Sequence, residues 1–493
     1  MSKVFFPVLT VLVSLSGSVG AKTTYSHAQD VVARAPFDKG LAIANVSEDE
    51  SRLLMKNSES RRKPANSVMV NSGKMSPELR ALQAELFTLK TSEEMDAFLT
   101  KLDAGYDAAP ADVKFYATQV LPLKAFRGIF YRMRVLFQSK SDFAHSQVIS
   151  AAKQMANDSR VFFPAEHSQA AFQYIASPYY KGAVQVAGFQ KEADFKVWMT
   201  TELLPLLNQS AERLEKMNLT QPVVWDQRMV YGAESFSDDI GRFKLVGEFE
   251  KNIALSGTYG SISNLAMARA YSSENIIQLY REVGFVNGLD GFGPFDANGV
   301  STEKIVKVLK QKKFSQTFTL LPDGKEWMQY SYKASLKSIN KASLAWELSS
   351  QGRKDEDYYV FDNRYLDLDR DEATENLTMV KRIMTAKGPE SLRSGVTGEV
   401  IQIDYAKFYM EPVQDMKTFL PVSFESGSQM TRSVKLANGQ TKSIAYRNYH
   451  EGSAKEFNIS AFEKYFPNVN SSEDVRKTMR VLSHVQGNWL ALR

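Results

Sequence analysis

The spacing of apolar residues changes character along this chain, and each change marks a different kind of segment. Val4 to Leu15 form an apolar run broken only by Pro7, Thr10 and Ser14. From Leu79 to Tyr280 apolar residues recur at three- and four-residue intervals, the period of a helix with one buried face. Beyond Phe314, β-branched and aromatic residues gather in short runs between turn residues, the grammar of strands.

The helical stretch has clear starts. Ser76-Pro77-Glu78 offers a serine cap with proline in the first turn, and Leu79, Leu82, Leu86 and Leu89 follow on one face. Thr91-Ser92-Glu93-Glu94 opens a second helix over Met95, Phe98, Leu99 and Leu102, and Gly105 and Pro110 punctuate the turn after it. The same period predicts helices over 111–120, 123–137, 143–156, 192–199, 202–217 and 261–283. Val223 to Ser256 holds no sustained period. The helical pairs share no fixed repeat length, which argues against a repeat array.

Gly284 to Gly299 holds five glycines and Pro294, the composition of an internal linker or long turn. Ser301 then caps a basic helix carrying Lys304, Lys307, Lys310, Lys312 and Lys313. Pro322-Asp323-Gly324 reads as the turn of a hairpin with Trp327, Tyr330 and Tyr332 on its second strand. Tyr358 to Phe361 and Val400 to Phe408 read as further strands. Val434 to Leu436 and Ile444 to Tyr449 flank Asn438-Gly439, a pair that accepts the positive φ angles of a tight hairpin turn. Helices over 460–465 and 472–484 close the chain. The expected fold class is α+β: a mainly helical N-terminal domain over 76–284, followed by a mixed domain over 300–493 with an antiparallel β-sheet.

The opening run sets the expected address. Lys3 precedes the apolar core, and Val19-Gly20-Ala21 offers small residues for signal peptidase before Lys22. About twelve apolar residues fall short of the roughly twenty that cross a bilayer. Residues 1–21 therefore read as a signal peptide cleaved near Ala21-Lys22, with no transmembrane segment after its removal. Residues 22–75 are polar and aperiodic, a disordered or linker segment that cannot bury enough apolar surface to offset chain entropy. The alternating ten-residue segments of an outer-membrane barrel are missing, since the first three hundred residues carry a helical period.

Composition refines that address. The 493 residues include no cysteine, which excludes thiolate metal sites, a cysteine nucleophile and a lipidated lipoprotein cysteine. The expectation is a bacterial exported protein, periplasmic or secreted. A formal charge of +5, from 61 basic and 56 acidic residues, is too balanced to point to nucleic acid or to strong membrane attraction. Seven Asn-x-Ser/Thr sequons, Asn208 among them, read as chance in a chain rich in asparagine and serine.

Chemistry is sparse. Asp367, Asp369 and Asp371 alternate and could converge on Ca²⁺. Glu372 and Thr378 stand where a calcium loop wants glycine and glutamate, so the competing reading is the acidic start of a helix over 373–384. His27, His145, His167, His450 and His484 show no zinc-enzyme spacing. Ser338 and Lys341 match an SxxK pattern without its companion KTG. The glycines Gly257, Gly260, Gly291 and Gly293 read as turns. Lys124, Arg127, Arg132 and Arg134 lie among apolar residues and read as a snorkelling cationic patch. Trp327, Tyr330 and Tyr332 are the candidate binding residues, as aromatics on an open sheet face, with core packing as the competing role. No catalytic residue is identified and no cofactor beyond the Ca²⁺ candidate. The expected function is binding an envelope protein, glycan or lipid; the alternative is a hydrolase of an envelope polymer using a carboxylate pair.

Overall fold

Capping chemistry fixes where the first described helix begins. The computed structural model describes residues 75–129, 132–133, 170, 174–175, 188–226, 229, 243–283, 302–350, 370–394, 397–424, 430–435, 441–446 and 454–491. Residues 1–21, 22–74, the helix expected over 143–156, the glycine-rich 284–299 and the strand expected over 358–361 lie outside them. Ser76 Oγ accepts from the Leu79 amide at 3.0 Å and caps α1 (Pro77–Leu86). Thr91 and Glu94 exchange side-chain and backbone bonds of 3.2 and 3.0 Å across the start of α2 (Ser92–Ala104), satisfying two otherwise unpaired amides. Leu79, Leu82, Leu86, Leu89, Met95, Phe98, Leu99 and Leu102 are buried together, as their spacing predicts. The Asp112 carboxylate, in α3 (Ala111–Val120), takes the Ser76 amide and hydroxyl at 2.9 Å each and ties the first helix to the third.

The two helices expected around residue 200 form one column, α4 (Glu192–Trp198) and α5 (Leu204–Lys216), joined by a widened π turn over Met199–Leu203. The Leu204 amide there reaches back to the Met199 carbonyl. Pro205 explains the widening, since its ring cannot fit over a regular helical carbonyl four residues earlier. The aperiodic stretch that follows holds an antiparallel pair, β1 (Val223–Asp226) and β2 (Phe243–Val246), running from Val223↔Val246 to Asp226↔Phe243.

Helix α6 runs Glu248–Ala270, so it begins before the expected Ser261. It stops at Tyr271, which bridges to Leu320. Asn275, at φ 60°, turns the chain into α7 (Ile276–Val283). Gly257 and Gly260 are therefore interior helix positions rather than turns. Helix α8 (Thr302–Leu309) follows, and then α9 (Gly324–Ser350).

Helix α9 overturns the hairpin expected around Pro322-Asp323-Gly324: the glycine opens a long helix, and Trp327, Tyr330 and Tyr332 lie on it. Its tertiary partner explains the outcome. Helices α6 and α9 run antiparallel, with small residues a heptad apart at the seam. Ser331 Oγ donates to the Ser263 carbonyl at 2.8 Å, Ser338 Oγ donates to the Ser256 carbonyl at 2.8 Å, and Ala345 packs beside Phe249. At the far end a β-carbon on Gly324 would collide with the Ala270 carbonyl and stand 2.7 Å from Leu320 Cδ1. Serines occupy the buried stripe, so an apolar count sees no helix there.

The C-terminal part alternates short elements. Helix α10 (Arg370–Thr385) precedes an antiparallel pair, β3 (Glu390–Arg393) with β4 (Val400–Ile403). The strand expected over 400–408 ends at Ile403, because Asp404 accepts from the Lys407 amide at 2.9 Å and caps α11 (Tyr405–Met410). β5 (Pro421–Phe424) pairs with β8 (Ala454–Phe457), and β6 (Met430–Lys435) with β7 (Thr441–Tyr446). The last pair is the hairpin predicted around Asn438-Gly439, which themselves lie outside the described residues. Helices α12 (Ile459–Glu463) and α13 (Ser472–Ala491) close the chain. The described fold is mostly helical, with small two-stranded antiparallel sheets rather than one sheet forming its own β domain. Among the described residues no helix is long and apolar enough to cross a membrane.

Candidate functional site

Among the described residues two places stand out chemically: a buried polar joint where α4, α6 and α9 meet, and a lysine-lined edge around α8. At the joint, Lys196 is 7% exposed and its ammonium donates to the Tyr271 carbonyl at the end of α6. Burial, reinforced by the Arg269 charge and opposed by Asp323, lowers the Lys196 pKa to about 7. Arg269 forks onto Asp323 at 2.8 and 3.3 Å, and Trp327 Nε1 donates to the same carboxylate at 3.1 Å. The Arg269 guanidinium also lies 5.6 Å from the Trp327 ring centre.

The three aromatic candidates do not share one open face. Trp327 holds the α6–α9 joint through Asp323. Tyr330 donates to Asn208 Oδ1 at 2.9 Å and fastens α9 to α5. Tyr332 donates to the Met384 carbonyl at 2.8 Å, fastening α9 to α10, and packs 5.5 Å from Tyr409, ring centre to ring centre. All three are half-buried. Their hydroxyl and indole groups are spent on internal partners, which is the work of core aromatics.

Other sequence candidates resolve in the same direction. Ser338 Oγ is used in the helix seam, while Lys341 Nζ stands 3.8 Å from Glu215 Oε1, so the SxxK pair does not assemble. Lys124 pairs with Asp103 at 2.7 Å, Arg127 with Asp96 at 3.6 Å, and Arg132 forks onto Glu202 at 2.8 and 2.9 Å. That patch is neutralised within the fold; Arg134 lies outside the described residues. So do Asp367 and Asp369. Asp371 falls in the first turn of α10. Among the described residues no three metal-ligating side chains are grouped to hold an ion.

The lysine edge is different. Ile305, Val308 and Leu309 of α8 pack with Leu279, Phe314 and Leu420, so the helix turns its opposite side to solvent. Lys307 there is 72% exposed, and Lys310, Lys312 and Lys313 are exposed too. Glu303 pairs with Lys307 at 2.7 Å and Glu282 pairs with Lys313; the second contact holds the Glu282 carboxyl below its usual range. Lys310 Nζ lies 3.5 Å from the carbonyl of Val422, whose own side is 55% exposed. Lys417 instead turns inward to the Ser315 and Thr317 carbonyls. The edge presents exposed ammonium groups beside one exposed valine, an arrangement suited to an anionic surface.

The basic run over 304–313 was visible in the sequence, whereas the Lys196 joint was not. Its available signal is the helical offset that puts Lys196 one turn before the buried Met199. No protein family, curated protein or solved structure matches the chain.

Proposed function

We propose that this is an exported bacterial envelope protein, periplasmic or secreted, that binds its ligand without transforming it, and that the lysine edge is its docking face. The carrying observation is the exposure of Lys307, Lys310, Lys312 and Lys313 along one edge, against the internally neutralised patch at Lys124, Arg127 and Arg132. The hydrolase alternative needs a general acid whose pKa is raised. Among the described residues, the carboxylates with a displaced ionisation move the other way. Bonding to Arg480 lowers Glu399, and the amides of Lys90 and Thr91 lower Glu94. For Asp103, burial pushes upward, but bonds from Lys124 and Arg213 outweigh it and the net shift is downward. These directions favour structural pairing over acid catalysis.

The finer division of the chain belongs to the same proposal: a helical part over 76–284 and a mixed part over 300–493 that carries the edge, held together along α6 and α9 rather than independent. Heparin resin, as a polyanion probe, tests the docking face. The chain purified after export is expected to begin at Lys22 and to be retained at low ionic strength. The charge-reversed variant Lys307→Glu/Lys310→Glu/Lys312→Glu is expected to pass through. Equal retention of both proteins would remove the edge from the proposal.

A further inference from the structure

We infer that the lysine edge is a peripheral docking surface for anionic phospholipid bilayers, with Val422 as its apolar contact; this rests on reading the edge as a docking face. Two features of the edge select a lipid surface over a soluble polyanion, and a third sets how deeply it attaches. The cations are lysines on flexible stems, which follow mobile headgroups, whereas a fixed phosphate is gripped better by the planar fork of arginine. Val422 stands 55% exposed beside Lys310. An apolar side chain among ammonium groups gains nothing from a polysaccharide phosphate or carboxylate, but gains at the boundary between headgroups and acyl chains. Finally, the apolar side of α8 is already committed to Leu279, Phe314 and Leu420, so the helix has no apolar face left to insert. Attachment is shallow, electrostatic and reversible.

Charge complementarity is incomplete in a way that sets the strength. Glu303 and Glu282 offset Lys307 and Lys313, which leaves Lys310 and Lys312 as the main attracting charges. Each lysine close to an anionic leaflet is worth roughly a fivefold gain in partition, and the gain fades as salt screens it.

Co-sedimentation of the exported full chain with vesicles tests the inference. Binding is expected to phosphatidylglycerol–phosphatidylcholine vesicles and not to phosphatidylcholine alone, falling as salt rises. Lys310→Glu/Lys312→Glu is expected to lower that partition by at least roughly tenfold. Val422→Ser is expected to lower it several-fold while leaving heparin retention unchanged. Equal binding to both vesicle types, or no binding to either, overturns the inference. Heparin retention without vesicle binding overturns the lipid assignment and leaves the docking face standing; loss of both removes both. Vesicle composition and salt dependence are read on the unsubstituted protein, so a variant that misfolds does not shield the inference.

Discussion

At the scale of single residues, Lys196 is a lysine held 7% exposed at a helix junction, and burial moves its ionisation. A free lysine titrates near 10.5, and here burial first, then Arg269, bring the value to about 7. Between those two values the unfolded chain holds a proton that the folded chain has released. Unfolding is then linked to proton uptake, so folding stability rises with pH through that window. Below about 7 the folded protein carries the full cost of a buried ammonium; above about 10.5 both states are neutral and the cost is gone. The slope from this one group approaches ~1.4 kcal/mol per pH unit. Lys196→Met keeps the length and removes the charge. Urea denaturation at a series of pH values is expected to show a steeper rise for the parent than for the variant, and a more stable variant at neutral pH. Parallel curves would mean that Lys196 titrates as an ordinary lysine. The sequence hides this residue because a lysine between Phe195 and Val197 looks like the polar face of an amphipathic helix. Burial comes from the end of α6, far away in the chain, where the Tyr271 carbonyl needs a donor.

At the scale of elements, local chemistry was legible and long-range pairing was not. Ser76, Thr91 and the leucine spacing that follows them predict α1 and α2 because caps and amphipathic faces act within a few residues. Helix α9 escapes the sequence pattern because its turn-like opening and its serines are both locally non-helical in character. The seam with α6 reverses both judgements. Gly324 and Gly257 separate the two effects. A glycine costs a helix roughly 0.5–1 kcal/mol relative to alanine, so alanine should stabilise wherever its β-carbon fits. At Gly257 nothing lies within 4 Å of that position, and Gly257→Ala is expected to gain about that amount. At Gly324 the Ala270 carbonyl occupies the space. A backbone atom cannot swing aside, so the overpacking cost of about 1–3 kcal/mol outweighs the helix gain. Thermal or urea unfolding of the two variants should shift in opposite directions. A stabilised Gly324→Ala protein would show that the two helices do not approach so closely.

At the scale of the whole molecule, the same seam bears on how the chain divides. The glycine-rich stretch 284–299 reads as a boundary, and independent domains leave few contacts across such a boundary. Here the contacts across it are extensive. Ser256 and Ser263 of α6 bond Ser338 and Ser331 of α9, Arg269 forks onto Asp323, and Ala334 joins the cluster built by Trp198, Leu203, Leu207, Leu255 and Ile262. The overall helical character could be read from apolar spacing alone. This pairing could not, because small polar residues carry it and they leave no periodic apolar trace. A protease site placed between residues 284 and 299 turns the geometry into a measurement. After cutting, the two pieces are expected to elute together in size-exclusion chromatography under native conditions and to separate only in denaturant. Each piece alone would expose one side of the α6–α9 seam, and the Asp323 carboxylate would lose Arg269. Pieces that part on cutting, each folded and monomeric, would show that the seam contributes little and that the glycine-rich stretch is a true domain boundary.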